Sequence, residues 1–409
     1  MRRPSAIAAV LLFAILGAAP AGAQTVLTGE AGHAFYRIAV PDNWNGQLVI
    51  WNHGIELTPP GPVTDLGPLS PLQLAQGYAV AASSYRQAGW ALFKSTEDVR
   101  TLYEVFVSHF GEPAAVILTG GSLGGLVSAA AIEEGGVGNV AGALSLCGAV
   151  AGSRTIDMIL DIRLVYDALC AAVPGAFIPG SAEGLPAGST FTPAALGAAV
   201  NACFGLLTPP PLQTPAQLSR LAAFTSITRM PVNFVFTDMG YATFGLSDLV
   251  HDPDKLKGRI GAGNATVSYG NPVVDATIER VSPHPGAANR LQENYTPTGA
   301  VGNTKIVALY TDKDGLVVVE SASAYASVVP AANLTTAVAV EAVPSHCGFT
   351  NAEVVASWES LRGWIAGAPK PTAASIEGLC TAIAPTAGGP CRVNPAFVVP
   401  SLDSRVRPR

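Results

Sequence analysis

The sequence predicts an α/β protein in which a mostly parallel central sheet carries helices on both faces. Apolar runs of strand length alternate with helical stretches between residues 35 and 147, and such alternation is typical of parallel sheets. It stops near Gly148 and resumes at Lys305, which indicates a large insertion between two strands. A strand, a glycine-rich turn and a helix at residues 115–132 place a serine in the turn.

The spacing of apolar residues predicts each element in order. Strands are expected at 35–40, 47–51, 78–82, 115–118, 140–146, 305–310 and 335–343. Between Thr96 and Phe110 the apolar residues recur at helical spacing, and Thr96, Glu97 and Asp98 suit a first turn. Further helices are expected at 126–132, 155–172 and 352–364.

The predicted organisation has four parts. They are a signal peptide at 1–23, an α/β core at 24–147 and 303–368, a cap or lid insertion at 148–302, and a disulfide-clipped C-terminal extension at 369–409. The first part has two arginines, a short apolar run and the ending Ala21-Gly22-Ala23, as secretory signal peptides do. We therefore expect a secreted, periplasmic or extracellular chain with no stable membrane span after signal cleavage.

The charge of the chain narrows the classes of partner. Charged residues make up 13% of the 409 residues, against about 25% in ordinary globular proteins. The net charge is −6 and the sequence has no basic run, so nucleic acid is not an expected partner. No cluster of histidines and cysteines has the spacing of a metal site, and we expect none.

The six cysteines form an even set in a chain predicted to be exported, so disulfides are expected. Six cysteines allow fifteen pairings, and their spacing does not choose among them. The pairings we expect are Cys170–Cys203, Cys380–Cys391 and Cys147–Cys347.

The segment Thr119-Gly120-Gly121-Ser122-Leu123-Gly124-Gly125 fits the G-x-S-x-G pattern between a strand and a helix. Such a turn holds its serine in a strained backbone conformation with the hydroxyl clear of the fold. Gly120 and Gly124 remove the side chains that would collide where strand and helix pass closest. A phosphate-binding loop is the alternative, but no G-x-x-x-x-G-K-[ST] motif accompanies the glycines. Ser122 is the candidate nucleophile.

A serine hydroxyl needs a base to take its proton, and the base needs a third group to orient it. His346 follows the predicted strand 335–343, and Asp314 follows the strand 305–310. The chain order serine, acid, histidine is that of elbow-type enzymes. His346 is the candidate base and Asp314 the candidate acid. Asp312 is the alternative acid, in which case Asp314 would only cap the next helix.

A tetrahedral intermediate needs two hydrogen-bond donors aimed at its negative oxygen. The first expected donor is the backbone N–H of Leu123, the residue after the nucleophile. The second is expected after His53-Gly54, which ends the strand 47–51, and Ile55 is the simplest choice. In the alternative reading, Gly54 serves only a sharp turn.

These segments together resemble the α/β-hydrolase family, in particular secreted bacterial carboxylesterases. The matching segments are 44–54, the serine turn, 311–317 and 345–350. The resemblance implies an α/β-hydrolase fold and an acyl-enzyme mechanism without a cofactor. Some tannase and feruloyl-esterase relatives bridge a cysteine before the serine to one after the histidine. Here Gly121 precedes Ser122, so Cys347 must bond elsewhere or stay free.

The predicted function is hydrolysis of a small-molecule or oligomeric carboxylic ester. The poorly charged cap contains Met230, Phe234, Tyr241 and Phe244, which favours an apolar acyl or aryl group. A secreted serine peptidase acting on short or proline-containing peptides is an alternative, as is an extracellular polyester depolymerase. A non-catalytic binding protein on the same scaffold is a further alternative.

Overall fold

A computed structural model describes residues 24–63 and 65–409. The predicted signal peptide at 1–23 lies outside the described residues. Eight strands are present: β1 Gln24–Ala31, β2 Ala34–Pro41, β3 Gln47–Asn52, β4 Ala79–Ser83, β5 Ala115–Gly121, β6 Val140–Leu146, β7 Lys305–Thr311 and β8 Leu334–Ala339.

The helices lie between and after these strands. They are α1 Ser70–Ala75, α2 Ser95–Phe110, α3 Leu123–Glu134, α4 Arg154–Cys170, α5 Pro193–Phe204, α6 Pro215–Thr228, α7 Val235–Gly240, α8 Leu246–His251, α9 Pro272–Thr277, α10 Pro285–Glu293, α11 Ser321–Ala326, α12 Asn351–Ile365 and α13 Ala373–Ala387. A π-helical turn, Tyr241–Gly245, joins α7 to α8. None of the helices in the described residues is both long enough and apolar enough to cross a membrane.

All eight strands form one sheet in the order β1-β2-β4-β3-β5-β6-β7-β8. The pairs β1–β2 and β2–β4 are antiparallel, and every pair from β4 to β8 is parallel. This confirms the predicted α/β-hydrolase fold. Because the parallel strands end at one edge of the sheet, the loops after β3, β5, β7 and β8 meet there.

The sheet is buried on both faces, which explains why its strands read as nearly continuous apolar runs. Alternate residues of β3 enter different cores: Leu48 and Ile50 pack on the side of α2 and α3, and Val49 packs on the side of α12. Trp358 of α12 is fully buried in the second core. The helical layers therefore fix the sheet from both sides.

Two elements differ from the sequence-based prediction. Strand β1, Gln24–Ala31, was not predicted; it pairs with β2 as an edge hairpin around Gly32. Strand β8 ends at Ala339 rather than at residue 343. The chain leaves the sheet there because Val340 donates its N–H to the carbonyl of Arg392, a residue of the C-terminal extension.

The C-terminal extension also contains a helix that its composition did not suggest. Helix α13 begins at a capping box formed by Thr372 and Ser375. Its residues Ile376 and Cys380 are fully buried and belong to the same core as α12. This part of the extension therefore adds a layer to the core instead of lying over its surface.

Between β6 and β7 the described chain forms seven helices, α4 to α10. Helix α4 is almost wholly buried. Its Arg163 is completely buried and donates to the carbonyls of Ile178, Gly180 and Gly184. Because a buried guanidinium needs several acceptors, these bonds explain how an irregular loop at 178–184 is held without regular structure.

Helix α3 approaches the end of β3 so closely that only glycine fits at 124. A β-carbon on Gly124 would overlap the carbonyl oxygen of Asn52. Gly378 in α13 faces open space and serves as a matched control. We expect Gly124→Ala to lower the free energy of unfolding by more than about 2 kcal/mol, because a backbone must move. We expect Gly378→Ala to raise it by about 0.5–1 kcal/mol.

Denaturant unfolding monitored by circular dichroism measures both changes. A Gly124→Ala protein as stable as the wild type would contradict the close approach of α3 to β3.

Candidate active site

Ser122 occupies the turn between β5 and α3 in a left-handed backbone conformation, with φ 55° and ψ −123°. Non-glycine residues rarely adopt a positive φ, so the surrounding structure must hold this turn. The backbone holds it in place: Ser122 donates its N–H to Leu146 at 2.9 Å and accepts from Ala149 at 3.0 Å. The strain is therefore balanced by bonds to the neighbouring strand β6 and the loop after it.

His346 lies between Ser122 and Asp314. Its Nε2 is 3.0 Å from Ser122 Oγ, and its Nδ1 is 2.8 Å from Asp314 Oδ2. An ionised carboxylate can only accept, so Nδ1 carries a hydrogen and Nε2 is free to accept from the serine hydroxyl. One tautomer of the imidazole thus satisfies both bonds.

Asp314 is held by more than the imidazole. It is only 4% exposed. Its Oδ1 accepts from the N–H groups of Leu316 and Val317 at 2.9 and 3.0 Å. Its Oδ2 accepts from Cys347 N–H at 3.2 Å as well as from His346. These bonds hold the Asp314 carboxylate in place next to the imidazole of His346.

Asp312, the alternative acid, faces elsewhere. Its Oδ1 accepts from the N–H of Glu341 at 2.7 Å, across the loop after β8. The hydrogen-bonding partner of His346 is therefore Asp314, and Asp312 ties two loops together.

The loop that carries His346 is anchored on both sides. Cys347 is disulfide-bonded to Cys147, which directly follows β6. The carbonyl of Gly348 accepts from Arg392 at 2.6 Å. The carbonyl of Pro344 accepts from Asn233 of the insertion at 2.8 Å. The loop of His346 is therefore bonded to the end of β6, to the C-terminal extension and to the insertion.

The disulfides have the pairing expected from the sequence: Cys147–Cys347, Cys170–Cys203 and Cys380–Cys391. In the described residues, Cys147, Asp314, His346 and Cys347 bring potential metal ligands within 4.8 Å of one another. Metal binding requires cysteine as a thiolate, and both sulfurs here are in a disulfide. This cluster is therefore not suited to a metal ion.

The two expected oxyanion donors belong to Leu123, which follows Ser122, and Ile55, which follows Gly54. Leu123 is the first residue of α3, so its N–H has no partner within the helix. Gly54 lies against the serine: a β-carbon there would be 3.3 Å from Ser122 Cβ. Among the described residues, no backbone acceptor is found for the N–H of Ile55 or of Leu123. The two expected donors are therefore free of backbone partners in the described part of the chain, and both are adjacent in the chain to residues at the serine turn.

One segment of the insertion, residues 232–245, covers these loops. The ring of Phe234 packs against Gly315 beside the acid, and Asn233 bonds to the loop of the base. Leu57 lies near Gly245 at the other end of the segment. Asp238, in its middle, is buried, and burial together with nearby Asp314 holds the pKa of its carboxyl well above the usual range.

A hollow of about 320 Å³ lies at the carboxyl ends of β3 and β4. It adjoins the nucleophile turn because Trp51 on its wall also packs against Gly121. Its lining is mixed, with aromatic and proline surfaces next to polar groups: Trp51, His53, Glu56, Pro59, Gly61, Pro62, Val63, Asp65, Ala82, Ser83 and Ser84.

The sequence pointed to Ser122, Asp314 and His346, and the structure brings them together within hydrogen-bonding distance. It did not point to Asn233 or Arg392. The capping box between Thr350 and Glu353 was not predicted either, although its residue types and spacing are a signal for one. The partners of Glu353 and of the loop at 344–348 are distant along the chain, so no local pattern revealed them.

Comparison with protein-family models and with curated proteins finds no match to this chain. Solved structures do match. Lipase A from Candida antarctica in its closed state has a TM-score of 0.46 at 13% identity, covering 94% of this chain and 83% of the lipase. Feruloyl esterase B from Aspergillus oryzae has a TM-score of 0.44 at 12% identity, covering 84% of this chain and 80% of the esterase.

A Rhodococcus esterase is similar over 84% of this chain and 98% of its own, with a TM-score of 0.37 at 18% identity. At these scores and identities no substrate or activity follows from the likeness. The chemistry is therefore derived from the residues of this chain.

The disulfide beside His346, Cys147–Cys347, closes a much longer ring of chain than Cys380–Cys391 in the C-terminal extension. Cys147–Cys347 spans 200 residues and Cys380–Cys391 spans 11. Each pair has one fully buried cysteine and one partly buried cysteine. We expect replacing the first pair by alanines to cost about 2.5 kcal/mol more unfolding free energy than replacing the second, because longer rings restrict the unfolded chain more.

Urea unfolding of the two double variants beside the wild type gives both values. Equal losses would show that ring length does not govern the contribution of these bonds.

Proposed function

We propose that this protein is a serine hydrolase that cleaves carboxylic esters, with Ser122 as nucleophile, His346 as base and Asp314 as the group that orients the base. The observation that carries the proposal is the continuous hydrogen-bond chain from Ser122 Oγ through the imidazole to Asp314, at 3.0 and 2.8 Å. The left-handed turn at Ser122 supports it, since it holds the hydroxyl toward the imidazole.

Acylation follows from this geometry. Ser122 Oγ attacks the ester carbonyl carbon while its proton passes to His346 Nε2, and the carbonyl electrons move onto the oxygen. The N–H groups of Leu123 and Ile55 would bind that oxyanion. The imidazolium, stabilised by Asp314, then gives its proton to the departing alcohol oxygen as the bond between acyl carbon and alcohol oxygen breaks.

Deacylation repeats the steps with water. His346 Nε2 takes a proton from water as the water oxygen attacks the acyl carbon of the Ser122 ester. Collapse of the second tetrahedral intermediate returns the proton to Ser122 Oγ and releases the carboxylic acid. The same unpaired backbone donors serve both oxyanions, and no step requires a cofactor.

The hollow beside the nucleophile is suited to one side of the ester. Trp51, Pro59 and Pro62 offer flat apolar surface to the proposed acyl or aryl group, and Glu56, Asp65 and Ser84 add polar groups beside it. We propose that residues 148–302 act as the cap and that its segment 232–245 closes the site from above. A small-molecule or oligomeric ester is the proposed substrate.

The peptidase alternative is less well supported. A peptidase that binds a free amino terminus needs available carboxylates in the cap. Most cap carboxylates are already in ion pairs: Asp157 and Asp161 with Arg409, Asp167 with Arg163, and Asp248 with Lys255. Asp238 is buried. Ester hydrolysis is therefore the activity that we propose.

Export is part of the same proposal. Three disulfides and no free cysteine occur in the described residues, and disulfides persist mainly in oxidising compartments. Together with the predicted signal peptide, they support a periplasmic or extracellular location.

Replacing the nucleophile tests the function directly. We expect the wild type to hydrolyse p-nitrophenyl acetate and butyrate, and Ser122→Ala to lower kcat by about 10⁴-fold or more, because the covalent route is lost. Ser108→Ala, at an exposed serine of α2 away from the site, is the control for removing a hydroxyl. Hydrolysis at the wild-type rate in Ser122→Ala would reject the proposed nucleophile.

Asparagine variants distinguish Asp314 from Asp312 as the acid. We expect Asp314→Asn to lower kcat by about 10⁴-fold, because the amide cannot stabilise the imidazolium or hold its tautomer. Asp312→Asn loses only a bond to the Glu341 N–H, so kcat should stay within about tenfold of the wild type. The reverse order of losses would assign the acid to Asp312.

A further inference from the structure

The imidazole of His53 is bonded to the peptide that precedes Ile55. His53 Nδ1 lies 2.7 Å from the carbonyl oxygen of Gly54. A carbonyl oxygen can only accept, so Nδ1 must carry the hydrogen and donate it. This bond is unusual because it joins a side chain to the next residue in the chain, and it acts on the peptide beside Ser122.

The position of the imidazole is itself fixed by the loop after β4. Its ring stacks on Tyr85, with centroids 4.2 Å apart and 23° between the planes. Tyr85 is 1% exposed, and its hydroxyl donates to the carbonyl of His53 at 3.3 Å. The N–H of Tyr85 in turn donates to Ser83 Oγ at 3.1 Å. A buried, hydrogen-bonded tyrosine therefore holds the histidine in one orientation.

The bond from His53 decides which way the next N–H points. In a trans peptide the carbonyl and the N–H lie in one plane and point in opposite directions. Because the Gly54 carbonyl faces the imidazole, the Ile55 N–H faces away from it. That N–H has no backbone acceptor among the described residues. Gly54 offers little resistance to a rotation of this peptide, since glycine adopts most backbone conformations.

A rotated peptide would harm the reaction. It would turn the Gly54 carbonyl oxygen toward the space now open to the Ile55 N–H, beside Ser122, and place a negative dipole where the oxyanion forms. A preorganised donor lowers the barrier because it needs no reorientation when charge develops. A bond that locks the peptide before substrate arrives supplies that preorganisation.

We infer that His53 is a positioning residue for ester hydrolysis: its Nδ1–H bond to Gly54 holds the Gly54–Ile55 peptide with the Ile55 N–H available to the oxyanion. The inference rests on the proposed function. His53 does not contact Ser122 in the hydrogen-bond chain, which consists of Ser122, His346 and Asp314.

Three histidine variants test it, with p-nitrophenyl acetate and butyrate as substrates. His53→Leu removes the donor and keeps the bulk. His53→Asn keeps a donor, because the amide nitrogen of asparagine occupies the place of Nδ1. His109→Leu, at an exposed histidine of α2, is the matched control. Active-site titration with a fluorophosphonate gives the concentration of reactive Ser122, so that kcat refers to folded enzyme only.

We expect His53→Leu to lower kcat by about 10- to 100-fold, less than the roughly 10²- to 10³-fold that complete removal of an oxyanion donor costs. KM should change little, since the bound ester does not need the oxyanion contact. His53→Asn should recover most of kcat, and His109→Leu should match the wild type. The inhibition constant of an aryl trifluoromethyl ketone, which forms an oxyanion on the serine, should rise as kcat falls.

Equal kcat in His53→Leu and the wild type would overturn the inference, as would equal losses in His53→Leu and His53→Asn. If His53→Leu does not fold, His53→Gln replaces it, because its amide lies one bond farther out and misses the Gly54 carbonyl. Equal kcat in the Gln and Asn variants would then overturn the inference. An active Ser122→Ala protein would instead reject the proposed function, so the two failures are distinguishable.

Discussion

The site depends on the close approach of helix α3 to the end of strand β3. Gly124 lies so near the carbonyl of Asn52 that a methyl group would not fit. The same approach brings Gly54 against Ser122 and leaves no room for a wider turn between β5 and α3. The left-handed conformation of Ser122 is the geometric result. A buried bond from Asn52 to Ser128, at 2.9 Å, secures the contact.

Around this fixed turn, the other parts are held by bonds that converge from distant segments. Asp314 is held by two backbone N–H groups of its own loop, and the loop of His346 is held by a disulfide, an arginine and an asparagine from three different regions. The Gly54–Ile55 peptide is held by His53, which stacks on Tyr85. Under the proposed function, each reacting group is thus oriented by neighbours that do not themselves react.

The sequence predicts those features that are local. The serine turn and the strands before Asp314 and His346 are short patterns with a direct physical cause. The packing of helix α13 and the anchors of the histidine loop depend on partners far along the chain. Strand β1 has a local partner in β2, but it is mostly exposed, so no apolar run marks it in the sequence. For Arg392, the partners Glu353 and Gly348 are 39 and 44 residues away, and no local period records such contacts.

The disulfide between Cys147 and Cys347 has a topological consequence. Cys147 immediately precedes the insertion and Cys347 lies beyond it, so the ring of 200 residues encloses all the cap helices. A protease that nicks an exposed cap loop would therefore leave both core segments covalently joined, with nucleophile and base on fragments that cannot diffuse apart. The disulfide therefore makes the covalent continuity of the two core segments independent of the chain between them.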